Sequence, residues 1–195
     1  MDEAEVQRLT ARAVAGDRAA LAALLEGHLP ELEAFVRARM DRRWKNRESS
    51  VDLAQSVCRD LLQHADRFRH ADPDAFRRWL FATASRKLHD RRDYHHAARR
   101  DVGLESPPSE GVDSPDTFSR PSPTPSQTAS AHEELARIES ALERLPEDYR
   151  EVISLARIAG LSHRSIGEIM QRNEGAVRML LHRALGRLTE ELESS

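Results

Sequence analysis

The stretch DVGLESPPSEGVDSPDTFSRPSPTPSQTAS, residues 101–130, holds six of the chain's nine prolines and is otherwise rich in Ser and Thr. It cannot bury enough apolar surface to offset the entropy of ordering it, so it reads as a flexible, partly extended linker. Such a break in a chain of 195 residues puts the cores on either side of it, in two small bodies. At random-coil scaling a linker of this length spans roughly 30 Å, so the bodies can sit apart on one partner.

Both flanks read as helical. Ala, Leu, Arg and Glu dominate, aromatics make up only 5%, and β-branched runs are few. In the first body Asp17 is placed to cap DRAALAALLEGHL, and Pro30 to open a further helix, ELEAFVRARM, from its tolerated first-turn position. Leu32, Phe35, Val36 and Met40 recur there at helical spacing. SVDLAQSVCRDLLQHADRF then puts Leu53, Val57, Leu61 and Leu62 on one face, closed by Phe68. After the loop RHADPD, the helix AFRRWLFATASRKLHDRRDYHHAARR buries Phe76, Leu80, Ala84 and Leu88 and leaves its arginines on the other side.

In the second body Ile138, Leu142 and Leu145 line a helix that ends near Pro146. PEDYREVISLARIA follows, and Gly160 suits a left-handed cap. Ser162 and Asn173 then cap two further helices, SHRSIGEI and EGAVRMLLHRALGRL. The expected fold is all-α: two helical bundles, 1–100 and 131–195, joined by the 101–130 linker.

Several function classes fall away. A single cysteine, Cys58, excludes an intramolecular disulfide framework and a multi-Cys zinc site. No stretch approaches the ~20 apolar residues of a membrane span, and MDEAEVQRLT is too acidic for a signal peptide, so a soluble cytoplasmic protein is expected. His95 and His96 beside Asp90 and Asp93 match no metal-ligand spacing, and no catalytic constellation is legible. The expectation is a protein without metal, cofactor or catalytic chemistry.

The formal net charge of -3 is unevenly spread. Residues 1–100 hold 20 Lys/Arg against 16 Asp/Glu, and Phe76 to Arg100 alone carries eight cations against two Asp. Concentration rather than total charge sets an electrostatic footprint, so this helix is a candidate nucleic-acid surface. Trp79 and Phe81 among Arg77, Arg78, Arg86, Lys87, Arg91 and Arg92 suit a single strand, whose bases stack on rings while its phosphates meet cations. Phe76 and Trp79 could equally belong to the core.

A second candidate is GLSHRSIGEIMQRNEGAVRMLLHRA, residues 160–184. At about 100° per residue, Val177, Leu181, Ala184 and Leu188 share an inward face, while Gly175, Met179, His182 and Arg183 point away with Arg178 at the flank. Two helices with the second presenting its N-terminal residues outward make a helix-turn-helix. Arg178 and Arg183 could bind guanine edges or clamp phosphate.

LPEDYREVISLARIAGLSHRSIGEIMQRNEGAVRMLLHRAL resembles the C-terminal promoter-binding domain of bacterial sigma factors, especially the extracytoplasmic-function group. DLAQSVCRDLLQHADRF resembles that family's polymerase-binding helix, and AFRRWLFATASRKLHDRRD its promoter-melting segment. The resemblance implies a transcription initiation factor whose partners are core RNA polymerase (the β′ clamp and β flap), promoter DNA and an anti-sigma factor. It assigns polymerase docking to Asp52, Leu53, Gln55, Ser56 and Arg59, although Asp52 could also cap its helix. It assigns −10 binding and melting to Arg69, His70, Asp72, Arg77, Arg78, Trp79, Arg86, Lys87, Arg91 and Arg92. It assigns −35 binding to Arg172, Asn173, Glu174, Gly175, Arg178, Met179, His182 and Arg183. The acidic linker, by the same resemblance, could mimic nucleic acid in a basic polymerase channel.

The sequence departs from the family pattern in four places. Gln171 replaces the usual turn glycine, which predicts a left-handed non-glycine residue. Arg172 replaces an apolar residue, Met179-Leu180 a Ser-Arg pair, and Ser56 an acidic residue. A stand-alone helix-turn-helix regulator is the alternative reading, but it leaves residues 52–100 unexplained.

Overall fold

The computed structural model describes residues 1–40, 48–69, 74–101 and 125–194, and among them every regular element is helical. The expected site residues His70 and Asp72, and most of the 101–130 linker, lie outside the described residues.

Helix α1 (Glu3–Val14) is capped by Asp2, and Gly16 at φ 92 turns the chain into α2 (Arg18–Arg39). Asp17 caps α2 as expected, accepting from the amides of Ala19 and Ala20 at 3.0 and 3.1 Å. Those amides, Ala20 foremost, and the Arg12 guanidinium hold its carboxyl below the usual value. Pro30 does not open a new helix; α2 runs through it unbroken. Proline removes the N–H that would meet the Glu26 carbonyl, but Glu26 and Pro30 are both exposed, so water can take that bond. The buried residues on either side, Leu24, His28, Leu32 and Phe35, hold the helix to the core across the gap.

Helix α3 (Ser50–Gln63) is capped by Ser49, whose Oγ accepts from the amide of Asp52 at 3.0 Å. A 3-10 turn, Ala65–Arg67, delivers the buried Phe68, and α4 (Ala75–Asp101) completes the first bundle. Its core stacks Leu21, Leu24, Phe35, Leu61, Phe76 and Phe81, with Phe35 and Phe81 ring centroids 5.0 Å apart. Each such side chain, fully buried, contributes about 1.5–3 kcal/mol.

The second bundle begins earlier than expected: α5 spans Pro125–Arg144, within the stretch read as linker. Proline at a first helical position is well tolerated, and six linker residues join the helix. Among the described side chains of α5 those near its C-terminal end reach the core: Ala141 and Leu142 are buried, as is Leu145 just beyond, while Ile138, expected inside, is exposed. Helix α6 (Glu147–Ile153) passes into a π-helical turn, Ser154–Ile158, closed by the Ala159 amide on the Ser154 carbonyl at 3.0 Å. Gly160 takes φ 60, the predicted left-handed cap. Then come α7 (His163–Met170) and α8 (Glu174–Glu193). The two bundles share one apolar cluster: α2 packs on the π-helical turn and on α5, and α4 on α7.

Candidate nucleic-acid interface

The turn between α7 and α8 is built from backbone first. Gln171 sits at φ 54, ψ 44, the left-handed residue that the sequence predicts. This folds the chain back so that the Arg172 amide donates to the Gly167 carbonyl at 2.9 Å. A Cβ on Gly167 would lie 2.5 Å from the Arg172 carbonyl oxygen, so the turn admits only glycine there. Asn173 then caps α8, its side chain accepting from the Ala176 amide at 2.8 Å.

Burial along α8 follows the predicted faces. Val177, Leu181 and Ala184 are buried, while Glu174, Arg178, Met179, His182 and Arg183 are exposed, Met179 at 53%. Arg178, His182 and Arg183 make no hydrogen bond or ion pair among the described residues. Arg172 differs: it pairs with Asp148 of α6 at 2.5 Å, which holds it beside the turn.

The cationic face of α4 is engaged. Arg77 donates to Glu31 at 2.8 Å and, through Nε and Nη2, to the Ala159 carbonyl. Arg78 pairs with Glu168 at 3.4 Å, Lys87 with Asp60 at 3.6 Å, Arg91 with Glu48 at 3.1 Å, and Arg92 with Glu147 at 3.6 Å. Arg86 is exposed, its guanidinium 3.4 Å from the Thr83 hydroxyl, and Arg69 is exposed beside the 3-10 turn. Trp79 stacks on Phe68, centroids 5.0 Å apart and planes 15° off parallel, a pairing worth about 0.5–1.5 kcal/mol beyond its burial. A cavity of about 290 Å³ opens beside Trp79, with Arg69 and Arg78 on one side and Glu168 and Ile169 of α7 on the other.

On α3, Asp52, Gln55 and Arg59 are exposed and Ser56 is half-buried. Leu53 is 1% exposed. It belongs to the core, because the apolar stripe of α3 faces inward at that register.

A buried charge cluster joins the bundles. The Arg39 side chain is 0% exposed and meets Glu147 at 2.5 Å and Glu151 at 3.3 Å, while His89 reaches Glu151 at 3.2 Å. Burial alone would raise the pKa of Glu151. The hydrogen bond from His89 and the charge of Arg39 outweigh it, and the carboxyl is held at about 2. His89, Glu147 and Glu151 bring potential metal-ligand atoms within 4.8 Å of one another. The Arg39 guanidinium already pairs with both carboxylates, and Arg92 and Arg150 also face Glu147, so a cation would have to displace them.

Comparison with known proteins assigns these bundles. Residues 24–97 match the family described as Sigma-70 region 2, and residues 135–188 match Sigma-70, region 4. The ECF RNA polymerase sigma factor SigD of Mycobacterium tuberculosis is 33% identical over 192 residues, which cover 98% of this chain and 86% of that protein. The chain belongs to the ECF RNA polymerase sigma factors.

ShbA of Streptomyces griseus, also an ECF sigma factor, is 33% identical over 92% of this chain and 91% of its own. CnrH, solved in complex with the cytosolic domain of CnrY, superposes with a TM-score of 0.64 at 25% identity, covering 98% of this chain and 99% of that one. As a sigma factor the protein directs transcription initiation by RNA polymerase, and most of α4 and of α8 falls in its region 2 and region 4 respectively. No described helix is long and apolar enough to cross a membrane.

Sequence reasoning missed Arg39, Glu147, Glu151 and Gly167. The first three become partners only when the bundles dock. Gly167 had a legible signal: a glycine four residues before a non-glycine turn residue, inside a short amphipathic helix.

Proposed function

We propose that this sigma factor binds core polymerase through the exposed edge of α3, with Asp52, Gln55 and Arg59 offering polar contacts to a basic partner surface. Its α4 face engages and melts the −10 element, Trp79 offering a ring edge and Arg77, Arg78, Arg86, Lys87, Arg91 and Arg92 meeting phosphates. Helix α8 enters the major groove at the −35 element. The observation that carries this reading is one chain bearing two separate cationic helix faces, with a capped helix-turn-helix presenting Arg178, Met179, His182 and Arg183 outward. The chain acts by binding, with no catalytic chemistry of its own, in the cytoplasm where polymerase is. An anti-sigma protein as regulator is supported by CnrH, which was solved with a partner, the cytosolic domain of CnrY.

The test is promoter-dependent run-off transcription with the purified full chain and core polymerase. A transcript that appears only with both components is expected. Absence of both core binding and transcript would sink the reading, and tight duplex binding without polymerase would favour a stand-alone regulator.

A further inference from the structure

The arginine–carboxylate pairs that cross between the bundles, among the described residues, all have the same polarity: the arginine comes from the first bundle and the carboxylate from the second. Arg37 meets Glu139, Arg39 meets Glu147 and Glu151, Arg78 meets Glu168, and Arg92 meets Glu147. The second bundle thus turns an acidic side toward the first, while α8 presents Arg178 and Arg183 outward. Arg78 and Arg92 belong to the α4 face that carries Trp79, and α7 closes one side of the cavity beside that ring with Glu168 and Ile169. Arg77 of the same helix is held on the Ala159 carbonyl. The seam is incompletely satisfied. Arg39 Nη1 and Glu151 Oε1 stand 3.3 Å apart but out of hydrogen-bond geometry, and Arg39 Nε has no partner either. Buried polar atoms left in this state raise the energy of the closed arrangement and keep it reversible.

We infer that in the free chain the acidic side of the second bundle takes the places of DNA phosphates on α4, and so masks the −10 surface until the bundles part. This rests on the reading of α4 as that surface. Carboxylates and phosphates compete for the same guanidinium donors, so Glu147 and Glu168 oppose a DNA strand directly. They belong to the same chain, which holds them at a high effective concentration against α4. A surface exposed only in open molecules binds with an affinity reduced by the open fraction. The mask therefore suppresses contact with DNA before polymerase is bound, and does so without a second protein.

The experiment compares the free full chain with holoenzyme. The probe is a fluorescently labelled single strand carrying the −10 non-template sequence of a promoter that the holoenzyme transcribes. Glu168→Gln is expected to tighten binding by the free chain about 2–5-fold, the equivalent of one exposed ion pair. It should leave the holoenzyme's affinity unchanged, because the bundles have already parted there. Glu147→Gln removes counter-charge from Arg92 and should act in the same direction. Glu193→Gln changes the net charge equally but removes no cross-bundle pair, and should have no effect. Small-angle scattering of the free wild-type chain should show one closed body. Equal gains in Glu168→Gln and Glu193→Gln overturn the mask, since net charge then explains both. So does an equal gain in holoenzyme, no gain in either seam variant, or scattering by two separated bodies. If wild-type holoenzyme transcribes the promoter yet does not bind its single strand, the −10 reading itself falls, and the mask with it.

Discussion

Arg77 donates from Nε at 3.1 Å and from Nη2 at 2.9 Å to the carbonyl of Ala159, fastening α4 of the first bundle to the residue before Gly160 in the second. The left-handed turn at Gly160 leaves that carbonyl open to the guanidinium, and a Cβ there would lie 3.3 Å from Arg77 Nη2. A side chain proposed to meet promoter DNA is thus occupied within the chain. Using it for DNA requires this contact to open.

Arg77→Ala removes a charged donor and its bonds to Glu31 and Ala159. Being partly exposed, the contact should be worth about 1–2 kcal/mol, read as a lowered urea midpoint. Amide exchange over residues 159–161 should accelerate as well; unchanged exchange would show that the clip contributes nothing to docking.

Glu151→Leu leaves Arg39 buried with one carboxylate fewer. Breaking one side of a buried pair costs about 3–5 kcal/mol, whereas Arg39→Met with Glu151→Leu should recover much of that loss. Denaturation of the single and double variants decides it. The depressed pKa of Glu151 gives the pH sign. Its contribution is present above the unfolded value of 4.5 and is lost as pH falls toward about 2.

His28 is 4% exposed, its Nδ1 2.8 Å from the Leu24 carbonyl and its ring against Phe76. Burial, reinforced by the Arg77 charge, lowers its pKa, so the folded state prefers it neutral. That preference is fully present above the unfolded value of 6.5 and erodes as pH falls below it. Stability should decline as pH falls below the unfolded value of 6.5, and His28→Gln should flatten that slope in thermal melts.

Gln171→Gly relieves the left-handed strain at φ 54 but loosens the unfolded chain. The strain is the larger effect, so a gain of up to about 1 kcal/mol is expected in chemical denaturation.

Met179→Ala and Arg183→Ala test the outward face of α8. If these side chains read bases, each should cost about 1–3 kcal/mol of discrimination between matched and scrambled −35 fragments. Equal loss on both fragments would assign them to the backbone instead.

Most of the helices, their caps and their buried faces were legible because they depend on local chemistry. Asp17, Ser162 and Asn173 cap as their side chains require, and the 3.6-residue period alone placed Val177, Leu181 and Ala184 inward. Pro30 misled because helix propensity is a weak prior: packing by Leu32 and Phe35 overrides one lost hydrogen bond at an exposed carbonyl. For Leu53 the same period placed the side chain on the apolar face of α3, and it is buried there.

By itself the sequence determined most helices of the two bundles and the turn at Gln171, since each follows from periodicity, capping and backbone sterics within a short span. Only the tertiary structure decided which cations are available. Arg77, Arg78 and Arg92 are paired across the bundles while Arg157, Arg178 and Arg183 are not, and Arg39 is buried against Glu151. A charge is compensated by whatever lies within a few ångströms in space, and residues more than a hundred positions apart become neighbours only when the bundles close.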